Sequence, residues 1–151
     1  MKKKTVDAVL LGVLLSGLTA GAALLFTDTK SAWYLSLNQP AIQPPPLVFM
    51  IVWTLVYVLF AASVAVSAAD EENGTPWALY LLQGVLNAAW CLAFFKLHLL
   101  YVGFGLIVAY LVVTYLTIRQ QKNRTAGWLL VPQTVWLVAA AALNYLTILL
   151  N

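Results

Sequence analysis

The chain has 151 residues, 63% of them hydrophobic and 9% charged, with a mean hydropathy of +0.89. No soluble domain of this size has a core large enough to hide that much apolar surface, so a water-soluble fold is excluded and the chain reads as an integral membrane protein. The net charge of +3 is spread over segment ends and forms no nucleic-acid patch, and the single cysteine, Cys91, excludes an intramolecular disulfide or a thiolate metal cluster.

The chain opens with a tribasic head, Lys2, Lys3 and Lys4. An apolar run over 6–26 follows, long enough at ~1.5 Å per residue to cross a ~30 Å hydrocarbon core. A cleavable signal peptide ending at Ala20-Gly21-Ala22 is the competing reading. The apolar stretch is too long for that, and it carries Gly12-x-x-x-Ser16 and Gly17-x-x-x-Gly21, spacings that let helices approach closely in lipid.

Residues 27–46 form a long loop with prolines at 40, 44, 45 and 46. Proline locks φ and supplies no N–H, so 39–46 reads as a stiff, extended linker: a lid tied to a membrane helix. Asp28 is a candidate cap for a short interfacial helix over 30–37, with Trp33 and Leu37 on one face. Pro46 suits the first turn of the second span, 47–69. A polar turn over 70–74 follows. Thr75 and Pro76 signal the start of the third span, 77–95, as cap and first helical residue. A very short turn, Lys96-Leu97-His98, leads to the fourth span, 99–118. A basic turn over 119–125 leads to the fifth, 128–150. The expected fold is all-α: one domain over 1–151, a bundle of five transmembrane helices with sequential spans as antiparallel neighbours. Lys2, Lys3, Lys4, Arg119, Lys122 and Arg124 fall on one side, and only Lys30 and Lys96 on the other. That asymmetry puts the N-terminus in the cytoplasm and the proline-rich loop and C-terminus outside.

A polar side chain within hydrocarbon needs a partner. Gln83, Asn87, Trp90 and Phe94 make one stripe of the third helix. Gln133, Trp136, Ala140 and Asn144 make one of the fifth, and Phe49, Trp53, Tyr57 and Phe60 one of the second. Convergence of these stripes gives either a pocket with aromatic walls and a few amide and phenol hydrogen bonds, or a core in which amides join helix to helix and indoles pack. Trp33, Trp77 and Trp128 lie near span ends, where they serve equally as interfacial anchors. Pro132 should kink the fifth helix and free the carbonyl of Trp128. Gly84-x-x-x-Ala88 and the first-span glycines suit a dimer seam or packing within the bundle. Lys30, Lys96 and His98 fall on the lid side, where they could meet ligand carboxylates, although a lone histidine in a turn reads first as a solvated residue. Cys91 reads as a packing residue. All five acids sit at edges or in loops, and no metal-ligand spacing, phosphate loop or nucleophile motif appears, so conventional enzyme chemistry has no obvious agent. A proton-driven transporter would want a buried carboxylate, and none lies within a span.

Taken in order, these motifs resemble the translocator proteins, also called peripheral-type benzodiazepine receptors or tryptophan-rich sensory proteins, in a bacterial-type member. The carrying residues are Trp33-Tyr34, Leu37, Pro40, Pro44-Pro45, Phe49, Trp53 and Tyr57. They continue through Gln83, Leu86-Asn87, Trp90, Phe94-Phe95, Leu129-Leu130, Pro132, Trp136, Ala140 and Leu143-Asn144. The chain departs from the family pattern at Gln39, where Lys is usual, at Ile42, and at Gln133, where Tyr often follows the proline. Tyr145 is followed by no basic residue, so the sterol-contact segment of the animal members is not matched.

The resemblance implies a five-helix bundle, commonly a homodimer in a bacterial cell membrane. It implies binding of porphyrins such as protoporphyrin IX, and of isoquinoline-carboxamide and benzodiazepine drugs, in a pocket between the helices under the first loop. Porphyrin enters as ligand and no cofactor is required. The binding residues so implied, together with the stripes, are Trp33, Pro44, Phe49, Trp53, Tyr57, Gln83, Asn87, Trp90, Phe94, Gln133, Trp136, Ala140 and Asn144. Trp53 and Trp136 match the tryptophans implicated in light-dependent porphyrin breakdown, so the alternatives are a porphyrin-degrading protein or a transporter of a small amphipathic molecule.

Overall fold

The computed structural model describes residues 2–151 except Glu71 and Asn73, with the side chains of Lys2 and Lys3 also outside the description. Among the described residues, five helices are long and apolar enough to cross a membrane: Lys4–Phe26, Pro46–Ala69, Trp77–Lys96, Leu100–Gln120 and Arg124–Leu150. No strand occurs among the described residues. We label the helices α1 (Lys2–Phe26), α2 (Ala32–Ser36), α3 (Pro46–Ala69), α4 (Trp77–Cys91), α5 (Leu100–Gln120), α6 (Arg124–Leu129) and α7 (Val131–Leu150). A single π-helical turn, Leu92–Lys96, extends α4.

The order around the bundle is α3, α1, α4, α5, α7, closed by α6 and α7 against α3. Sequential spans are therefore neighbours except at one place. The second and third spans, α3 and α4, both pack on α1, which stands between them. The expectation that sequential spans are neighbours fails there, since α1 packs against both α3 and α4.

Glycine explains why α1 can take this place. A Cβ on Gly12 would collide with the carbonyl oxygen of Ala61, and one on Gly84 would meet the Thr19 hydroxyl. These glycines are thus used inside the bundle, where backbones approach closely. One turn on, the Ser16 hydroxyl donates to the Tyr57 carbonyl at 2.7 Å. Threonines elsewhere in the spans (Thr19, Thr54, Thr134, Thr147) return their hydroxyls to carbonyls four residues back, so none of these is left unpaired in hydrocarbon.

Element ends differ from expectation in four places. The cap of α2 is Ser31, whose hydroxyl oxygen accepts from the Tyr34 N–H at 3.2 Å, while Asp28 accepts from the Lys30 N–H. Pro76 occupies the cap position of α4, and the helix starts at Trp77. The loop is not wholly extended, since the Gln43 N–H closes a turn onto the Pro40 carbonyl at 2.9 Å and Pro40 is buried. Finally, helix begins at Arg124, within the stretch expected to be a polar turn, and is capped by the Asn123 side chain. The proline then splits α6 from α7: the Leu130 N–H turns back to Gly127, and Pro132 lies in the first turn of α7.

Candidate functional site

The bundle interior divides into two halves by depth. In the half nearer the N-terminus, Gln83 on α4 and Gln133 on α7 meet directly, Gln133 Nε2 donating to Gln83 Oε1 at 2.6 Å. Gln83 Nε2 donates to the Thr117 hydroxyl at 2.8 Å, and Gln133 Nε2 also reaches the Thr114 hydroxyl at 3.0 Å. All four residues are fully buried. Below them, Tyr80 shares a hydrogen bond with Ser63 at 2.6 Å and accepts one from Gln121 at 2.7 Å. Neither glutamine lines either of the cavities found in the other half. Here the structure favours amides as interhelical joints.

The other half is aromatic and hollow. A chamber of about 720 Å³ lies beneath the proline-rich loop, between α1, α3 and α4. Its back wall is Trp53, Tyr57, Trp90, Cys91 and Phe95; Phe49 and Pro44 form its upper side. Trp53 and Trp90 stack with centroids 5.7 Å apart, and Trp136 meets Trp53 edge-on at 6.3 Å. A second void of about 30 Å³ lies between the loop and α7, lined by Phe94, Ala140 and Asn144, and shares Phe49 and Trp90 with the larger one. Asn144 accepts from Trp90 Nε1 at 3.3 Å and donates to the Leu100 carbonyl at 3.1 Å, which fixes both side chains.

Of the thirteen residues singled out from sequence, Pro44, Phe49, Trp53, Tyr57 and Trp90 line the chamber, and Phe94, Ala140 and Asn144 line the small void. Asn87 stands behind the wall, donating from Nδ2 to the Tyr57 hydroxyl at 2.8 Å. Trp136 backs Trp53 and Phe49 without lining the chamber. Gln83 and Gln133 lie in the other half. Trp33 sits on the loop, where it stacks flat on His98 at 4.0 Å and meets Phe94 edge-on. Its role in the structure is to hold the loop down. His98 is therefore exposed but engaged, and it adopts a positive φ of 58° to turn the chain into α5. Lys96 pairs with Asp28 at 3.5 Å, a second tie from loop to bundle. A third comes from Asn151, whose side chain accepts from the Asn38 N–H at 2.9 Å and donates to the Asn38 carbonyl at 3.1 Å.

Three buried polar atoms have no hydrogen-bond partner among the described residues: Asn87 Oδ1, Gln133 Oε1 and Trp136 Nε1. Buried polar atoms are nearly always paired. Among the described residues no cluster of three or more His, Cys, Asp or Glu side chains could hold a metal. Burial raises the Tyr34 phenol above its usual pKa, opposed by its hydrogen bond with Gln39, so this loop contact carries no charge near neutral pH.

Several lining residues lie outside the three stripes. The first span contributes Ala23 and Leu24, and the loop contributes Thr27, Tyr34, Gln39 and Gln43. The signal for the first group is faint, since α1 is apolar on every face. Phe95 follows Cys91 by four residues, on a face that the stripe of Gln83, Asn87, Trp90 and Phe94 does not include.

Comparison with known proteins agrees with this architecture. Residues 8–150 match the TspO/MBR family. The tryptophan-rich sensory protein of Cereibacter sphaeroides is 31% identical over 135 residues, covering 88% of this chain and 83% of that one. The tryptophan-rich protein TspO of Archaeoglobus fulgidus is 32% identical over 151 residues, covering 94% and 96%. The Bacillus subtilis membrane protein YtaB is 31% identical over 148 residues, covering 95% of each. With a family match along nearly its whole length and five membrane-spanning helices, the chain is an integral membrane protein belonging to the TspO/MBR family.

Proposed function

We propose that this protein is a membrane receptor or sensor that binds porphyrins, of the protoporphyrin IX type, and other planar hydrophobic molecules in the chamber beneath the first loop. One observation carries the reading: a chamber of about 720 Å³ walled by Phe49, Trp53, Tyr57 and Trp90. Indole and phenol faces give a flat tetrapyrrole broad apolar contact, and the polar groups are few and near the loop. Thr29, Gln39 and Gln43 stand there and can meet propionate carboxylates by hydrogen bonding. Lys96 is already paired, so charge neutralisation is a smaller part of this reading than the loop lysines suggested.

The N-terminus faces the cytoplasm in this reading and the loop faces outward, following the bias of basic residues toward the N-terminal side. The membrane is that of a bacterial cell. Homodimer formation fits Gly17 and Gly21, where a side-chain Cβ would meet no heavy atom within 4 Å and a second helix has room to approach.

Titration with protoporphyrin IX, followed by tryptophan fluorescence, tests the receptor reading. Saturable quenching is expected. A chain with Trp53 and Trp90 changed to Phe should bind several-fold more weakly, and equal affinity would overturn the assignment. A second reading, oxidative porphyrin degradation under light and oxygen, is favoured by the contact of Trp53, Trp90 and Trp136, which would let an indole radical be shared. Product spectra in light, in the dark and with porphyrin alone separate that activity from binding.

A further inference from the structure

The chamber's mouth faces sideways. Helices α1 and α3 are in tight contact at Gly12 and Ala61 and are still joined at Ser16 and Tyr57. Beyond that point they part, and the chamber lies in the gap. Leu24 on α1, Leu35 on the loop and Met50 on α3 line the chamber, yet are 74%, 71% and 61% exposed. The inner-wall residues Trp53, Trp90 and Cys91 are 8%, 5% and 3% exposed. The lip is thus part of the lipid-facing belt of an integral membrane protein, and the chamber is a continuation of that interface into the bundle. Polar lining residues are concentrated at the loop end, with Thr29, Gln39 and Gln43.

We propose that a bilayer phospholipid is the resting occupant, with one acyl chain passing between α1 and α3 into the chamber and its headgroup remaining at the rim near Thr29 and Gln39. Water fits this space poorly, because a buried water needs two to four polar partners and the inner wall offers few. An unfilled apolar cavity would forfeit dispersion contacts along its whole lining. An acyl chain restores those contacts with no polar group to desolvate, since it comes from a hydrocarbon phase. Any other ligand must then displace a lipid chain rather than fill empty space. This inference does not depend on the receptor reading, because it names a different occupant.

Photo-crosslinking in ligand-free proteoliposomes tests it. The probe is a phosphatidylcholine with a diazirine in the middle of one acyl chain, and insertion sites are mapped by mass spectrometry. Adducts are expected on Tyr57, Trp90 or Cys91, as well as on outward residues such as Leu55 and Val58. Placing a ring inside the chamber with Ala23→Phe, at a buried lining position, should remove the inner adducts and leave the outer ones. Should that variant not fold, the wild-type map alone decides. Adducts confined to Leu55, Val58 and other outward residues would overturn the proposal, as would inner adducts unchanged in a folded Ala23→Phe protein. No porphyrin is present, so either result stands apart from the fate of the porphyrin assignment.

Discussion

The two halves of this bundle are built from similar side-chain stripes and do different things. Near the N-terminus, Gln83, Thr114, Thr117 and Gln133 bond to one another across three helices and fill the space between them. Near the loop, indoles and phenyl rings line a void, and the amides Asn87 and Asn144 stand at its edges, fixing Tyr57 and Trp90. The difference lies in partner choice. Two amides at the same depth bond to each other and to the threonines between them and close the gap, with Gln133 Oε1 alone left over. An amide opposite an aromatic spends one group on positioning it and leaves room beside the ring. A stripe of Gln, Asn and Trp therefore marks an inward face, while the residues across from it decide whether that face is joint or wall.

Substitutions can break this contrast, and the largest effect is expected where backbones touch. Gly12→Leu forces a side chain into the Ala61 carbonyl, where neither backbone can yield, and should cost about 3 kcal/mol of stability. Thermal unfolding in detergent would show it. Gln83→Leu comes next. It removes the three hydrogen bonds of Gln83, leaving Gln133 Nε2 with the Thr114 hydroxyl alone, and should cost about 2 kcal/mol. Adding Gln133→Leu should recover most of that loss, since a buried pair replaced by apolar groups is nearly neutral. Denaturant curves of both single variants and the double give the coupling directly, and neither change should alter affinity for a chamber ligand.

The loop half should respond less in stability and more in exchange. His98→Ala removes the flat partner of Trp33 and leaves the loop on its other ties. Amide hydrogen exchange over 28–44 should quicken by about fivefold, in line with ~1 kcal/mol for an aromatic contact. Asn151→Ala removes three exposed hydrogen bonds to Asn38, the longest of them 3.5 Å. It should quicken the same exchange by about threefold at most, near the low end for one bond. A larger response to Asn151→Ala than to His98→Ala would mean that the loop hangs from its C-terminal tie rather than from the Trp33 stack.

The number of membrane helices, their all-α character and the inward faces of three of them are legible in the sequence. Apolar run lengths and the 3.6-residue repeat depend only on local order. Ring order and depth are not legible, because both depend on which helix stands opposite. Gln83 and Asn87 sit four residues apart on one face, and nothing local says that the first meets Gln133 while the second meets Tyr57. The contribution of α1 is hidden for a related reason. With apolar residues all round, its Ala23 face looks like its lipid face. The π turn at Leu92–Lys96 carries no residue that announces it.

The most direct test of the division between joint and chamber uses the single cysteine. Cys91 lies on the chamber's inner wall, and no other residue of the chain carries a thiol. Its modification by a small uncharged thiol reagent, methyl methanethiosulfonate, can be timed with and without saturating protoporphyrin IX. Bound porphyrin should slow modification at least about tenfold, with the same protection in the folded Gln83→Leu, Gln133→Leu double variant. An unchanged rate in protein shown to hold porphyrin would place the ligand elsewhere and contradict the assignment of the chamber as the binding half.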